Sequence, residues 1–173
     1  MLRRIKGLHH VTSMAANTQE NNDFFTKTLG LREVRKTVIF DAPDVYHLYY
    51  GDEVGTPETV MTYFPFPHIV NGNRCAGEVS ETVFPVPKGT LGHCKERFVA
   101  QGVTGLEESE VFGEKRLRFP GPDGDSFALA EVGGDKRQPF AGGTAPADEG
   151  GHEMRQQEVH AIAAFLLSVP ASP

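Results

Sequence analysis

The sequence predicts an α+β protein made of two successive β-α-β-β-β modules and a C-terminal helix. Three observations predict it. Short apolar stretches alternate with Gly-, Pro- and Asp-bearing turns. One amphipathic helix pattern follows the first strand of each half. The halves also answer each other at an offset of about 70 residues, "NNDFFTKTLGL" against "CKERFVAQGV" and "YHLYYGDEVGTPETVMTYF" against "KRLRFPGPDGDSFALAEV".

Residues 5–14 read as the first strand. Asn17 followed by Glu20 is a capping-box pattern that opens a helix, with Phe24, Phe25, Thr28 and Leu29 as its apolar stripe and Gly30 as its stop. Strands over 32–40, 45–50 and 59–64 complete the first module, the last two joined by the turn-rich "GDEVGTPE". Residues 66–76 connect to a strand over 78–86. Thr90 then caps the helix "LGHCKERFVAQ", which Gly102 ends, and strands follow at 108–113, 115–119 and 125–132. The two modules, 1–65 and 76–133, make one domain over 1–135. Residues 134–152, rich in Gly, Ala and Pro, read as a linker. Val159, Ile162, Ala163 and Leu166 then sit at helical spacing within a C-terminal helix over 153–167.

Composition narrows the function. Of 173 residues, 39% are hydrophobic, enough for a real core. The 17 Lys and Arg against 23 Asp and Glu give a net charge of −6 with no basic run, so nucleic acid and anionic membrane are poor partners. No apolar run approaches the roughly 20 residues of a membrane span, and the start "MLRRIKGLHH" lacks the apolar centre of a signal peptide. Two cysteines, Cys75 and Cys94, make no disulfide framework and fit reduced thiols in a cytoplasmic protein.

The stretch "GLHHVT" puts His9 and His10 side by side, and strand alternation sends them to opposite faces. The paired modules, a histidine on the first strand and the hairpin "FPGPDGDSFALAE" resemble the vicinal oxygen chelate superfamily of glyoxalases, bleomycin-resistance proteins and extradiol dioxygenases. "GLHHVTSMA", "DFFTKTLGLREVRKTVIFDAP", "YHLYYGDEVGTPETVMTYFPFP", "VPKGTL" and "DKRQPF" narrow this further. They resemble the N-terminal half of bacterial ring-cleaving dioxygenases acting on hydroquinones, over about residues 5–140. That resemblance implies a glyoxalase-like fold. It also implies a metal site of two histidines and a glutamate holding Fe(II) or Mn(II), with positions left open for substrate and O₂.

Carried over residue by residue, the resemblance makes His10 the first-strand metal ligand and sets His9 and Thr12 beside the substrate. The second histidine and the glutamate belong to a fourth module that has no counterpart in this sequence. In module two, Glu81 stands where a histidine-bearing strand would place its ligand, and Ala128 where the glutamate would be; the module-one equivalent of that place is about Tyr63. His47 reads first as a packing histidine of the sheet wall, and Tyr46, Tyr49 and Tyr63 as packing residues that could also wall or hydrogen-bond a phenolic ligand. His93-Cys94 lacks zinc-site spacing.

Three readings of function stay open: a metal-dependent ring-cleaving dioxygenase acting on a hydroquinone- or catechol-type aromatic with O₂, a metal-free dimeric module that binds a small aromatic ligand, and an inactive truncated homologue. A homodimer is expected, because two modules alone leave an open sheet edge and half a cup.

Overall fold

The computed structural model describes residues 9–52, 55–56, 59–70, 72, 79–133 and 164–167. In the first module, β1 (His10–Ala15) leads to helix α1 (Thr18–Asp23) and then to β2 (Arg32–Val38), β3 (Tyr46–Gly51) and β4 (Val60–Pro65). The second repeats the order with β5 (Val79–Pro87), α2 (Leu91–Ala100), β6 (Glu107–Val111), β7 (Glu114–Pro120) and β8 (Ser126–Val132). The first sheet runs β1-β4-β3-β2 and the second β6-β7-β8-β5, with β1 parallel to β4 and β5 parallel to β8. The duplication predicted from the sequence is therefore a duplication of topology.

The first helix starts as its sequence predicts. Asn17 Oδ1 accepts the Gln19 and Glu20 amides at 2.9 and 3.1 Å, satisfying two of the free N–H groups of the first turn. After Asp23 the helix widens into a π turn, Phe24–Thr28, closed by the Leu29 amide on the Phe24 carbonyl at 3.0 Å. Gly30, at φ +77°, ends it in a left-handed conformation that suits glycine. The second helix is capped differently from the expectation. The Thr90 hydroxyl donates to the Pro87 carbonyl, while Glu131 Oε1, from β8, accepts the Gly89 amide at 2.7 Å and the Leu91 amide at 3.3 Å. A carboxylate forty residues downstream therefore does the capping, favoured by the positive end of the helix dipole.

One core joins the modules. Phe25 stacks on Tyr50 of the first sheet with centroids 4.8 Å apart, meets Tyr63 at 4.9 Å, and reaches Phe127 of the second sheet at 5.8 Å. Leu48, Tyr50, Met61 and Tyr63 from one sheet and Phe84, Leu117, Phe119, Phe127 and Leu129 from the other belong to this single cluster. Each sheet thus turns one face to a shared interior, and by strand alternation the neighbouring residues form an outer face. Polar ties cross the same boundary. The Tyr63 hydroxyl donates to Asp125 at 3.0 Å, and Asp123 accepts the Ala16 amide at 2.8 Å. Burial, then the neighbouring Asp125, pushes the Tyr63 phenol well up, so it keeps the proton it donates. Gly121 leaves room for Phe127: a Cβ there would lie 2.5 Å from the ring.

The C-terminal expectation needs correction where it can be compared. Residues Ala164–Leu167 form β9, a strand that pairs antiparallel with β5 and extends the second sheet to five strands. The run "AFLL" is apolar and short, so its periodicity suits a strand as well as a helix, and the free edge of β5 supplies hydrogen bonds that a helix would have to make alone. The rest of the expected helix, the linker and the first-strand residues before His9 lie outside the described residues.

Candidate functional site

The outer face of the first sheet gathers the polar side chains of module one. Register places Thr12 beside Thr62, Met14 beside Phe64, Tyr49 opposite Thr62, Thr37 opposite His47 and Arg35 opposite Tyr49. With His10 on the same side of β1, this face carries two histidines, a tyrosine, an arginine and three threonines. Arg35 is there because of a bulge. The register shifts between Glu33, opposite Tyr50, and Arg35, opposite Tyr49, so two residues that simple alternation would keep together part to opposite faces.

His9 and His10 do not separate as strand alternation implied. Their Nδ1 atoms are 3.0 Å apart with the rings edge to face. The reason is local: β1 begins at His10, so the His9 side chain is not bound by the two-residue period. One of the two nitrogens donates and the other accepts. When His10 donates, its Nε2 keeps a free lone pair, the protonation pattern a metal-binding imidazole needs. Both residues are exposed, as is Thr12, whose hydroxyl lies 2.8 Å from that of Thr62.

His47 and Tyr49 form a second pair on this face. Tyr49 Oη is 2.8 Å from His47 Nδ1, and the imidazole lies between the rings of Tyr49 and Phe64, with centroids 4.1 and 4.2 Å away. His47 Nε2 is buried and has no hydrogen-bond partner. Burial, then the charges of His10 and Arg35, holds the His47 imidazole below its ordinary value, which favours the neutral ring. Sequence alone groups Tyr46, Tyr49 and Tyr63; the sheet sorts them. Tyr63 is in the core, and Tyr49 alone of the three stands on the outer face beside His10.

Glu81 belongs to the other sheet and is already engaged. Its Oε1 accepts Arg118 Nε at 2.6 Å and its Oε2 accepts Arg116 Nη1 at 3.3 Å, with Arg116 also on Glu114 at 3.0 Å. The Glu81 and Arg116 side chains are only 7% and 4% exposed, so the carboxylate is spent on charges it cannot leave without cost. Ala128 shares the outer face of this sheet with Val83 and Ala130, whereas Tyr63 faces the core. The ungapped equivalence of Ala128 with Tyr63 therefore slips by one residue. Among the described residues, no group of three or more His, Cys, Asp and Glu is placed to hold a metal ion. Cys94 is buried and burial pushes its thiol up, so it is a packing residue of α2.

Comparison with known proteins adds ancestry to this geometry. No family model matches the chain. It is 44% identical over 128 residues to MhqE of Bacillus subtilis, which carries the name of a ring-cleaving dioxygenase, covering 74% of this chain and 42% of that one. To a chlorohydroquinone/hydroquinone 1,2-dioxygenase of Sphingobium indicum it is 42% identical over 131 residues, 74% of this chain and 41% of the other. The chain thus spans less than half the length of the curated relatives it matches. A crystal structure from Bacillus subtilis, described as that of a dioxygenase, superposes with a TM-score of 0.71 at 34% identity, covering 92% of this chain and 46% of that one. A glyoxalase family protein from Enterococcus faecalis superposes at 0.59 and 21% identity over 73% of this chain and 98% of its own, which shows the fold. The fold is α+β and glyoxalase-like, and the homologues of the matched region are named ring-cleaving dioxygenases. No helix among the described residues is long and apolar enough to cross a membrane.

Proposed function

We propose that this chain supplies the first-strand wall of a ring-cleaving dioxygenase site that takes a hydroquinone- or catechol-type aromatic and O₂. The observation that carries the reading is the outer face of the first sheet, where His10, with an imidazole partner on its Nδ1, stands beside Thr12 and Thr62 in a region 44% identical to a protein named for ring cleavage. His10 is the metal ligand in this reading, and His9 and Thr12 orient substrate. A bound Fe(II) or Mn(II) would supply a Lewis acid that holds a phenolate and O₂ together. The described residues contribute one such ligand from this face, and Glu81 is held by two arginines, so they do not by themselves fit a complete ligand set. The remaining ligands would come from a second copy or from chain beyond the described residues.

The role of the chain's own residues is positioning. The Thr12–Thr62 hydroxyl pair offers a donor and an acceptor at one level of the sheet, suited to a substrate hydroxyl. His9 fixes the His10 ring through its Nδ1 contact. The test is oxygen uptake by anaerobically Fe(II)-loaded protein given hydroquinone. Uptake that His10→Ala abolishes supports the reading; well under one iron per two chains, or uptake unchanged by His10→Ala, overturns it.

A second reading, a metal-free module that binds small aromatics, is favoured by one observation: the carboxylate nearest to a ligand position in module two is neutralised by Arg116 and Arg118. Tight binding of hydroquinone by metal-stripped protein, without iron-dependent oxygen uptake, would select it. We further propose a cytoplasmic homodimer; sedimentation of the purified chain checks the dimer.

A further inference from the structure

We propose that Tyr49 is a directed hydrogen-bond donor to the hydroxyl or phenolate oxygen of the aromatic ligand, and that His47 is the positioning residue that aims it. This rests on the reading that the outer face of the first sheet takes a phenolic aromatic.

The geometry argues from a proton count. His47 has two ring nitrogens and, when neutral, one N–H. Its Nδ1 is 2.8 Å from Tyr49 Oη, while its Nε2 is buried without a partner between the rings of Tyr49 and Phe64. If the proton were on Nε2, a buried N–H donor would be orphaned. With the proton on Nδ1, only a bare acceptor is left there. Orphaned buried donors are the rarer and costlier case. His47 therefore holds its proton on Nδ1 and donates it to the Tyr49 oxygen.

That assignment decides what Tyr49 can do. Its oxygen accepts from His47, so its own O–H must turn away from the imidazole. Tyr49 sits opposite Thr62, whose hydroxyl meets Thr12 one strand further along the same face as His10. A free phenolic donor at this place can meet an oxygen acceptor on a ring lying against the face. A p-substituted diphenol has such an oxygen at each end; an unsubstituted arene has none. Tyr49 thus selects oxygenated rings.

Two measurements test it. In the metal-free chain, long-range proton–nitrogen NMR of labelled histidine reads the His47 tautomer directly. The expected result is an Nδ1-protonated ring, and an Nε2-protonated ring overturns the proposal. Binding of hydroquinone, kept anaerobic, and of p-xylene, the same shape without oxygen, is then compared by calorimetry. Tyr49→Phe should weaken hydroquinone about five- to tenfold and leave p-xylene unchanged. His47→Phe should do the same, and His47→Asn, which restores an N–H donor, should recover most of the loss.

Equal hydroquinone affinity in Tyr49→Phe, equal weakening of both ligands, or no hydroquinone binding by the wild-type chain overturns the proposal. Iron-dependent oxygen uptake is read separately. Its failure, with the tautomer and the selective loss intact, removes the dioxygenase reading and leaves Tyr49 as a ligand donor.

Discussion

On the first sheet, His10 and Thr12 stand exposed at the outer face of β1, with the Thr12 hydroxyl on Thr62 and His10 on His9. On the second, the strand with the same place in the topology carries Glu81, buried and held by Arg116 and Arg118, above a patch of Val83, Ala128 and Ala130. The strand order is the same and the chemistry is opposite. A sheet face that keeps unspent lone pairs can bind something; a face whose charges are already paired serves stability. The duplicated scaffold thus carries opposite chemistry on its two outer faces.

The largest expected effect breaks the closed face. Glu81→Ala strips the buried Arg116 of a partner and should cost about 3–5 kcal/mol of unfolding free energy, read by urea denaturation. A loss below about 1 kcal/mol would mean that the pair is solvated and the contrast between the faces is false. Next come the helix caps, which sharpen the comparison because one is local and the other distant. Asn17→Ala and Glu131→Ala should each cost about 1 kcal/mol. Glu131→Ala should also speed amide exchange selectively at Gly89 and Leu91, since its carboxylate bridges β8 to α2. The smallest effect is at the open face: His10→Ala should leave stability within about 0.5 kcal/mol of the parent. A large loss there would make His10 a structural residue and move the candidate site elsewhere.

The sequence carried the element order, the caps and turns of module one, and the ancestry, because these are local signals: Asn17 before Glu20, Gly30 after Leu29, a repeated strand count. The face assignments were only partly legible. In "YHLYY", the burial of Leu48 and Tyr50 puts His47 and Tyr49 on the other side, and alternation could have sorted them. Arg35 could not be placed that way, because a bulge after Glu33 changes its face and leaves no mark in the pattern. The His9–His10 contact was hidden for a related reason: His9 lies within the run read as strand from 5 to 14, yet it stands just outside β1, which begins at His10. The arginine lock on Glu81 needed β7 and β5 on either side of β8, so that their side chains meet across it, a proximity that one-dimensional reading does not supply. The β9 strand depended on an edge that only the folded sheet creates.

Phe25 has a consequence for how the chain comes to its native state. Its ring needs Tyr50 and Tyr63 on one side and Phe127 on the other, contacts that join the first helix to a strand about 100 residues later. During synthesis the first module can form its sheet early, yet its interior stays unsealed until the last strand of the second module emerges. The halves should then melt together in one calorimetric transition, the van't Hoff and calorimetric enthalpies agreeing, and a chain stopped before β8 should expose Phe25 to a hydrophobic dye. Cooperativity between the duplicated units thus runs through the seam where Phe25 and its neighbour Phe24 meet the rings of the second sheet.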